Sequence, residues 1–339
     1  MQRIFILLIC TFFYNSSKSQ TLEEAIEFDR ENTAIRVVFY NVENLFDTIA
    51  DAGIQDEEFL PESEKAWNTI KYRIKISNIA KTLRAVGGWS PPEIIGLAEI
   101  ENRSVMLDLV NHMSLEAGSY NVLHFDSDDP RGIDVGLCYN RDLIEVLYAE
   151  PIKMRFENVR TRDILYAKLL INKEDTLHMF INHWPSRRGG QEASAPKRIV
   201  AAEVAKQVVD SIAETTANAN ILLMGDFNDT PRDSSLHVLT KSKTYPVINL
   251  MEELPPMEGS HKYRGIWDYL DQLLVSGPML NGSQGMRVVH GRAYVFSAEF
   301  LLERDDRYGD YYPYRSWKGP SFTAGYSDHL PVFVDVKFK

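Results

Sequence analysis

Cysteine is almost missing from this chain. Of its 339 residues only Cys10 and Cys138 are cysteines, and Cys10 lies within an apolar N-terminal run. If that run is removed, no internal disulfide can form and the fold must be held by its core. Cys138, in the apolar stretch Val135-Gly136-Leu137-Cys138-Tyr139, reads as a buried thiol. Positive charge is also short. Lys and Arg total 37 against 48 Asp and Glu, a net charge of −11. That excludes gripping a nucleic-acid duplex by overall charge alone. Beyond the N-terminus no apolar run is long enough to cross a bilayer. The chain lacks the cysteine clusters and His-x-x-x-His spacing of a zinc site. It also lacks a Gly-Lys-Ser/Thr phosphate loop and a Gly-x-Ser-x-Gly elbow. P-loop nucleotide hydrolysis and serine-esterase chemistry are therefore disfavoured.

What is present begins with export. Arg3, the apolar residues 4–14, and small residues at Ser17 and Ser19 predict a signal peptide over 1–19, cleaved before Gln20. A single-pass anchor is the alternative. The final compartment reads as secreted or periplasmic. Residues 20–339 show no internal repeat or long linker and read as one domain, with 44% hydrophobic residues in the whole chain to build its core. Strand-like runs occur at 35–40, 94–97, 135–139, 165–171, 177–182, 221–224, 273–276 and 332–336. Ile70, Ile74 and Leu83 mark one amphipathic helix. A second runs from about 196 to 212, with Pro196 suited to its first turn. The pattern predicts an α/β protein, mixed sheets with helices packed outside. Residues 305–319, rich in Tyr, Arg, Asp and Gly, read as a long loop.

The strand ends carry the chemistry. Ile221-Leu222-Leu223-Met224-Gly225 stops at Asp226 and Asn228. Strand alternation points these two residues to the same side. A polar turn would explain one such end. Five others repeat it, supplying Asn41, Glu99, His183, Asp271 and the pair Asp328-His329. Six together point to one polar site at a sheet edge. Carboxylate and carboxamide oxygens are hard ligands suited to Mg²⁺, Mn²⁺ or Ca²⁺.

The chain resembles the endonuclease/exonuclease/phosphatase superfamily. The resemblance rests on Phe39-Tyr40-Asn41-Val42-Glu43-Asn44, Leu97-Ala98-Glu99-Ile100-Glu101, Ile181-Asn182-His183-Trp184, Gly225-Asp226-Phe227-Asn228, Asp271-Gln272-Leu273-Leu274-Val275-Ser276 and Ser327-Asp328-His329-Leu330-Pro331-Val332. It implies a four-layer α-β-β-α sandwich of two packed mixed β-sheets with outer helices. It also implies hydrolysis of a phosphoester by water with a divalent metal, Mg²⁺ first and Mn²⁺ or Ca²⁺ as alternatives. Glu99 and Asn41 would hold the metal, with Asp328 near it. Asp226 and Asn228 would orient the attacking water. His329 would be a general base or a phosphate ligand, with Asp271 or, less well matched, Asp268 as its carboxylate partner. His183 would act on the leaving oxygen or the phosphate. Glu43 and Glu101 remain either support for the ligands or solvated turn residues. His112, His124, His178, His237, His261 and His290 have no such context and read as structural or surface.

Substrate contacts are expected from the loop His183-Trp184-Pro185-Ser186-Arg187-Arg188-Gly189-Gly190, whose Arg187 and Arg188 could bind phosphate in a bidentate manner. Arg131 could add a contact. The tyrosines at 308, 311, 312 and 314, with Arg315 and Trp317, could stack on bases or simply pack their segment onto the body. The expectation is a secreted metal-dependent phosphodiesterase, a monomeric nuclease of low specificity acting on nucleic acid. A phosphatase or phospholipase C-type hydrolase is the alternative, and a non-catalytic binding module the third reading.

Overall fold

A computed structural model describes residues 34–156, 160–241, 245–255, 258–283 and 285–338. The signal peptide expected over 1–19 lies outside them. The strands, in chain order, are β1 (Ala34–Leu45), β2 (Ile94–Ile100), β3 (Tyr120–His124), β4 (Asp134–Asn140), β5 (Ile144–Ile152), β6 (Ile164–Ile171), β7 (Asp175–His183), β8 (Asn220–Asp226), β9 (Val247–Asn249), β10 (His261–Tyr263), β11 (Ile266–Asp268), β12 (Asp271–Ser276), β13 (Arg287–Val288), β14 (Tyr294–Val295), β15 (Leu302–Asp305), β16 (Asp310–Pro313), β17 (Trp317–Lys318), β18 (Ser321–Phe322) and β19 (Val332–Lys337). The helices used below are α1 (Thr69–Gly87), α2 (Arg103–Val110) and α3 (Gln191–Thr215).

Two mixed sheets result. One has seven strands, in the order β13-β19-β1-β2-β4-β3 with β14 also beside β19, and the other runs β5-β6-β7-β8-β12-β9. Each contains one central parallel pair, β1 with β2 and β7 with β8. Strand alternation then sorts the side chains into layers. Val37 and Phe39 of β1 face Ile181, Leu222 and Met224 in the core between the sheets. Val38 and Tyr40, one residue out of step, pack with Ile76, Ile79 and Leu83 of α1 and Leu109 of α2. On the far side, Phe180, Ile221 and Leu223 pack with Ala201, Ala205 and Val209 of α3. Because both faces of the central strands are covered, these strands read as unbroken apolar runs rather than alternating ones. The outcome is the expected four-layer α-β-β-α sandwich.

Three local expectations need correction. In α1, Ile70 and Ile74 are 71% and 37% exposed, while the buried stripe is Tyr72, Ile76, Ile79 and Leu83. At 100° per residue, Ile70 and Leu83 lie about 220° apart, so they never shared a face. Helix α3 starts at Gln191, five residues before the expected start, and Pro196 lies inside it. The 305–319 segment is no plain loop. Its first part closes the hairpin of β15 and β16, turning at Gly309 with φ +76°, and Trp317 is buried in the core beside α1.

Candidate active site

Three neighbouring strands of the second sheet deliver side chains to one edge. His183 ends β7, Asp226 ends β8, and the two are register partners. Asp271 opens the antiparallel β12 opposite Asp226. Gly225 makes the close approach possible, because a Cβ there would lie 2.3 Å from the Asn182 carbonyl oxygen. Beyond β8 the chain turns at Asn228, whose φ of +51° is a conformation asparagine tolerates. Its backbone N–H donates to Asp226 Oδ1 at 2.9 Å, and its Nδ2 donates to the Trp184 carbonyl at 3.1 Å.

The first sheet meets this edge through Asn41 and Glu99. Both β1 and β2 break register here, between Asn41 and Leu45 and between Ala98 and Ile100. Such bulges re-aim side chains. Glu99 has a φ of +63°, which is strained for a residue with a long side chain. Glu99 Oε2 accepts the Asn44 N–H at 2.9 Å, and Oε1 lies 4.0 Å from His183 Nε2. Asn41 Nδ2 donates to Asp226 Oδ2 at 3.1 Å, tying the two sheets together within the site. The Ser327 hydroxyl donates to the Asn41 carbonyl at 2.7 Å and accepts the His329 N–H at 3.1 Å. His329 Nδ1 then lies 2.6 Å from Asp271 Oδ2, and its Nε2 lies 3.9 Å from Asp226 Oδ2.

The two histidines are driven to different protonation states, His183 toward the neutral form and His329 toward the charged one. Burial pushes His183 well below the usual imidazole range, and the nearby Arg162 and Arg131 charges add to this. Burial opposes charge on His329 as well, but Asp271, then Asp226 and Asp328, reverse it and hold His329 well above that range. Burial pushes Asp226 up to about 7 against the pull of His329, with Asp271 and Glu99 adding repulsion. Separated proton affinities of this kind are what acid–base sites require.

The donor set fits a hard divalent cation. Ligand atoms of Asp226, Asp271 and His329 lie within 4.8 Å of one another, as do those of His261, Asp328 and His329. Asp271 Oδ1 is buried without a hydrogen-bond partner among the described residues. Glu99, Asp226, Asp271 and Asp328 concentrate negative charge where a cation would neutralise it.

The other expected residues are placed unevenly. Asp268 is not at His329; it pairs with Arg187 at 3.0 Å. Arg187 Nε also donates to the Asn228 carbonyl at 2.8 Å. Its Nε and Nη1 therefore brace the site, while its Nη2 has no hydrogen-bond partner among the described residues and Arg187 lines the adjoining cleft. Arg188 borders the adjoining cleft. Arg131 is half exposed and lies 3.4 Å from Asp129. Asp328 is held by Arg315 at 3.1 Å, and Arg315 also meets Glu43 at 3.0 Å. Arg315 is thus engaged inside the molecule rather than set out for stacking. Glu43, buried and bonded to the Ser316 N–H at 2.6 Å, is not a solvated turn residue. Nor is Glu101, buried with its Oε2 accepting the Asp47 N–H at 2.6 Å. His261, expected to be structural or surface, has its ring 4.7 Å from that of His329. Arg162 was also missed. It is buried, pairs with Asp129 at 3.0 Å and donates to the Trp184 carbonyl at 2.7 Å. Its only trace in sequence is a charged run, Arg160-Thr161-Arg162-Asp163, which looks like solvated surface.

Comparison with known proteins agrees with this architecture. The model of the endonuclease/exonuclease/phosphatase family matches residues 36–338. A search of curated proteins finds no match. Among solved structures, a mannosyl-6-phosphatase of Bacteroides thetaiotaomicron is similar with a TM-score of 0.58 at 16% identity, covering 90% of this chain and 100% of that one. A humanized D. rerio TDP2 gives 0.57 at 15% identity, covering 90% and 99%. The human Nocturnin catalytic domain gives 0.56 at 16% identity, covering 91% and 95%.

Proposed function

The chain belongs to the endonuclease/exonuclease/phosphatase family, divalent-metal-dependent phosphoester hydrolases, and from that premise we propose that it is an exported nuclease of low sequence specificity. The observation that carries the catalytic reading is geometric: His329, braced by Asp271 at 2.6 Å, and His183 flank one oxygen of Asp226, their Nε2 atoms 3.9 Å and 3.6 Å from its Oδ2.

Glu99 and Asn41, with Asp328 nearby, would hold a divalent cation, which would supply charge neutralisation for the non-bridging phosphate oxygens. The chain's own groups do the rest. Asp226, whose proton affinity sits near neutrality, accepts the proton of the attacking water. Asn228, fixed by its bond to Asp226, helps to orient that water. His329 in its charged form donates from Nε2 to a phosphate oxygen, which favours the phosphate-ligand role over the general-base role. His183, neutral, offers a hydrogen bond on the opposite side. One chain provides every one of these groups, so a monomer suffices. The acidic balance of −11 and the likeness to a mannosyl-6-phosphatase favour a second reading, a phosphatase for small phosphate esters.

The test is a substrate panel of DNA, RNA, sphingomyelin, inositol phosphates and sugar phosphates, assayed with Mg²⁺, Mn²⁺ or chelator. Nucleic-acid turnover that chelator abolishes is expected, and metal-independent turnover would sink the mechanism. Asp271→Asn lowers kcat by about 10²–10⁴-fold, whereas Asp268→Asn, which loosens Arg187 and leaves the His329–Asp271 contact in place, costs far less. A normal kcat in Asp271→Asn would show that the brace is misassigned. Export is checked by sequencing the mature protein, which should begin at Gln20.

A further inference from the structure

A cleft of about 860 Å³ opens beside the active site, with Asn228 and His329 in its lining. That size is typical of a small-molecule site. One side is the hairpin of β10 and β11. Tyr263 pairs directly with Ile266, and His261 with Asp268, so all four share one face, and all four line the cleft. The opposite face of the hairpin is anchored. Lys262 is bound by Asp310 and by the Tyr311 carbonyl at 2.9 Å, and Trp267 packs against the core beside α1. The turn is Arg264-Gly265, with φ of +51° and +85°, the tight two-residue form that matches strand twist. A Cβ on Gly265 would meet the Tyr308 ring at 2.8 Å, so the turn is seated on that ring. The hairpin is thus fixed from behind and holds two large apolar side chains open to solvent, Tyr263 at 61% and Ile266 at 66% exposure.

The acids of the cleft are already engaged. Asp233 accepts from Thr230 Oγ1 and Gln191 Nε2, each at 2.9 Å, and Asp268 is held by Arg187. A sugar needs free hydrogen-bonding groups of this type. Among the other side chains of the cleft, Tyr263, Ile266, His261, Arg188 and Arg264 have no side-chain hydrogen bond or ion pair among the described residues. Among the described residues neither guanidinium has a carboxylate partner, and that of Arg264 lies 5.2 Å from the Tyr263 ring centre.

We propose that the β10–β11 hairpin is a nucleotide subsite, with Tyr263 and Ile266 stacking a base beside the scissile phosphate and Arg188 and Arg264 holding the neighbouring phosphates. This rests on the nuclease reading above and gives it a specificity element. Base stacking on aromatic side chains tolerates every base, in keeping with low sequence specificity.

Two substrates of equal charge test it: a short single-stranded oligonucleotide, and the same backbone carrying abasic tetrahydrofuran units. The wild-type enzyme should prefer the base-bearing chain by about 5- to 100-fold in kcat/KM, as one stacked base allows. Tyr263→Ala with Ile266→Ala should bring that ratio close to one. Arg188→Ala should raise KM for both chains alike. A wild-type enzyme without preference, or a preference that survives the hairpin substitutions, overturns the subsite and leaves the nuclease reading standing. An enzyme that hydrolyses neither chain, but does hydrolyse a sugar phosphate or phospholipid, removes both.

Discussion

His178 and His183 lie on one strand, and burial keeps both neutral. His183 does so inside the active site. His178 is remote from it, with Nδ1 2.8 Å from the Tyr166 hydroxyl, and burial, aided by Lys168, lowers its pKa from 6.5 to about 4. The unfolded chain therefore binds one proton more than the folded chain between those values. Stability from this group is intact above pH 6.5 and declines as pH falls toward 4, by at most about 3 kcal/mol in all. His178→Asn keeps an acceptor for Tyr166 but does not titrate. In urea unfolding at pH 7.5 and pH 5, the wild type should lose more stability than the variant; equal losses would show that His178 stays solvated. The same local physics explains which site residues could be read from sequence. Asn41, Glu99, His183, Asp226, Asn228, Asp271, Asp328 and His329 each terminate or adjoin an apolar run, so a nearest-neighbour pattern marks them as candidates. His261, Arg162 and Arg315 gain their roles from partners distant in sequence, such as His329, the Trp184 carbonyl and Glu43. No local pattern encodes those meetings.

Elements show the same divide. Central strands were legible because both faces are buried, but β5, an edge strand with mostly half-exposed or exposed residues, carries no such run. β10 and β11, three residues each, are too short to show a period. Helix α3 carries its proline inside the helix rather than at its first turn. Pro196 is the sixth residue after the Gly190 cap, where it removes the N–H that would reach the Glu192 carbonyl. An interior proline costs about 3 kcal/mol, partly offset by about 0.4–1 kcal/mol from a stiffer unfolded chain. Pro196→Ala should therefore stabilise the protein by about 2 kcal/mol, read as a higher urea midpoint at unchanged slope. An unchanged or lower midpoint would mean that the helix bends to absorb the ring at little cost. The position has a functional neighbour as well. Arg198, one turn of helix along from Ser194, pairs with buried Asp229 at 2.7 Å, so the start of α3 holds the corner that carries Asp226 and Asn228.

At the scale of the molecule, the site is where the two sheets meet. Asn41 and Glu99 come from one, and His183, Asp226 and Asp271 from the other. Within a chain of net charge −11, this junction also holds a dense group of buried carboxylates. A cation bound there would link the sheets as well as assist the chemistry, so its affinity adds to the stability of the whole fold. Ligand at 100-fold over its Kd contributes about 2.7 kcal/mol. Millimolar Mg²⁺ or Mn²⁺ should therefore raise Tm, and chelator should reverse the rise. Simple screening of the negative charge also stabilises an acidic protein, but NaCl at equal ionic strength supplies that part. Glu99→Gln separates the two effects. It removes one charge and one proposed ligand while leaving the remaining surface charge in place, so it should keep the response to NaCl and lose most of the extra response to the divalent ion. A variant whose Tm still climbs with Mg²⁺ as steeply as the wild type would move the cation away from Glu99, toward the Asp226, Asp271 and His329 cluster whose ligand atoms already lie within 4.8 Å of one another.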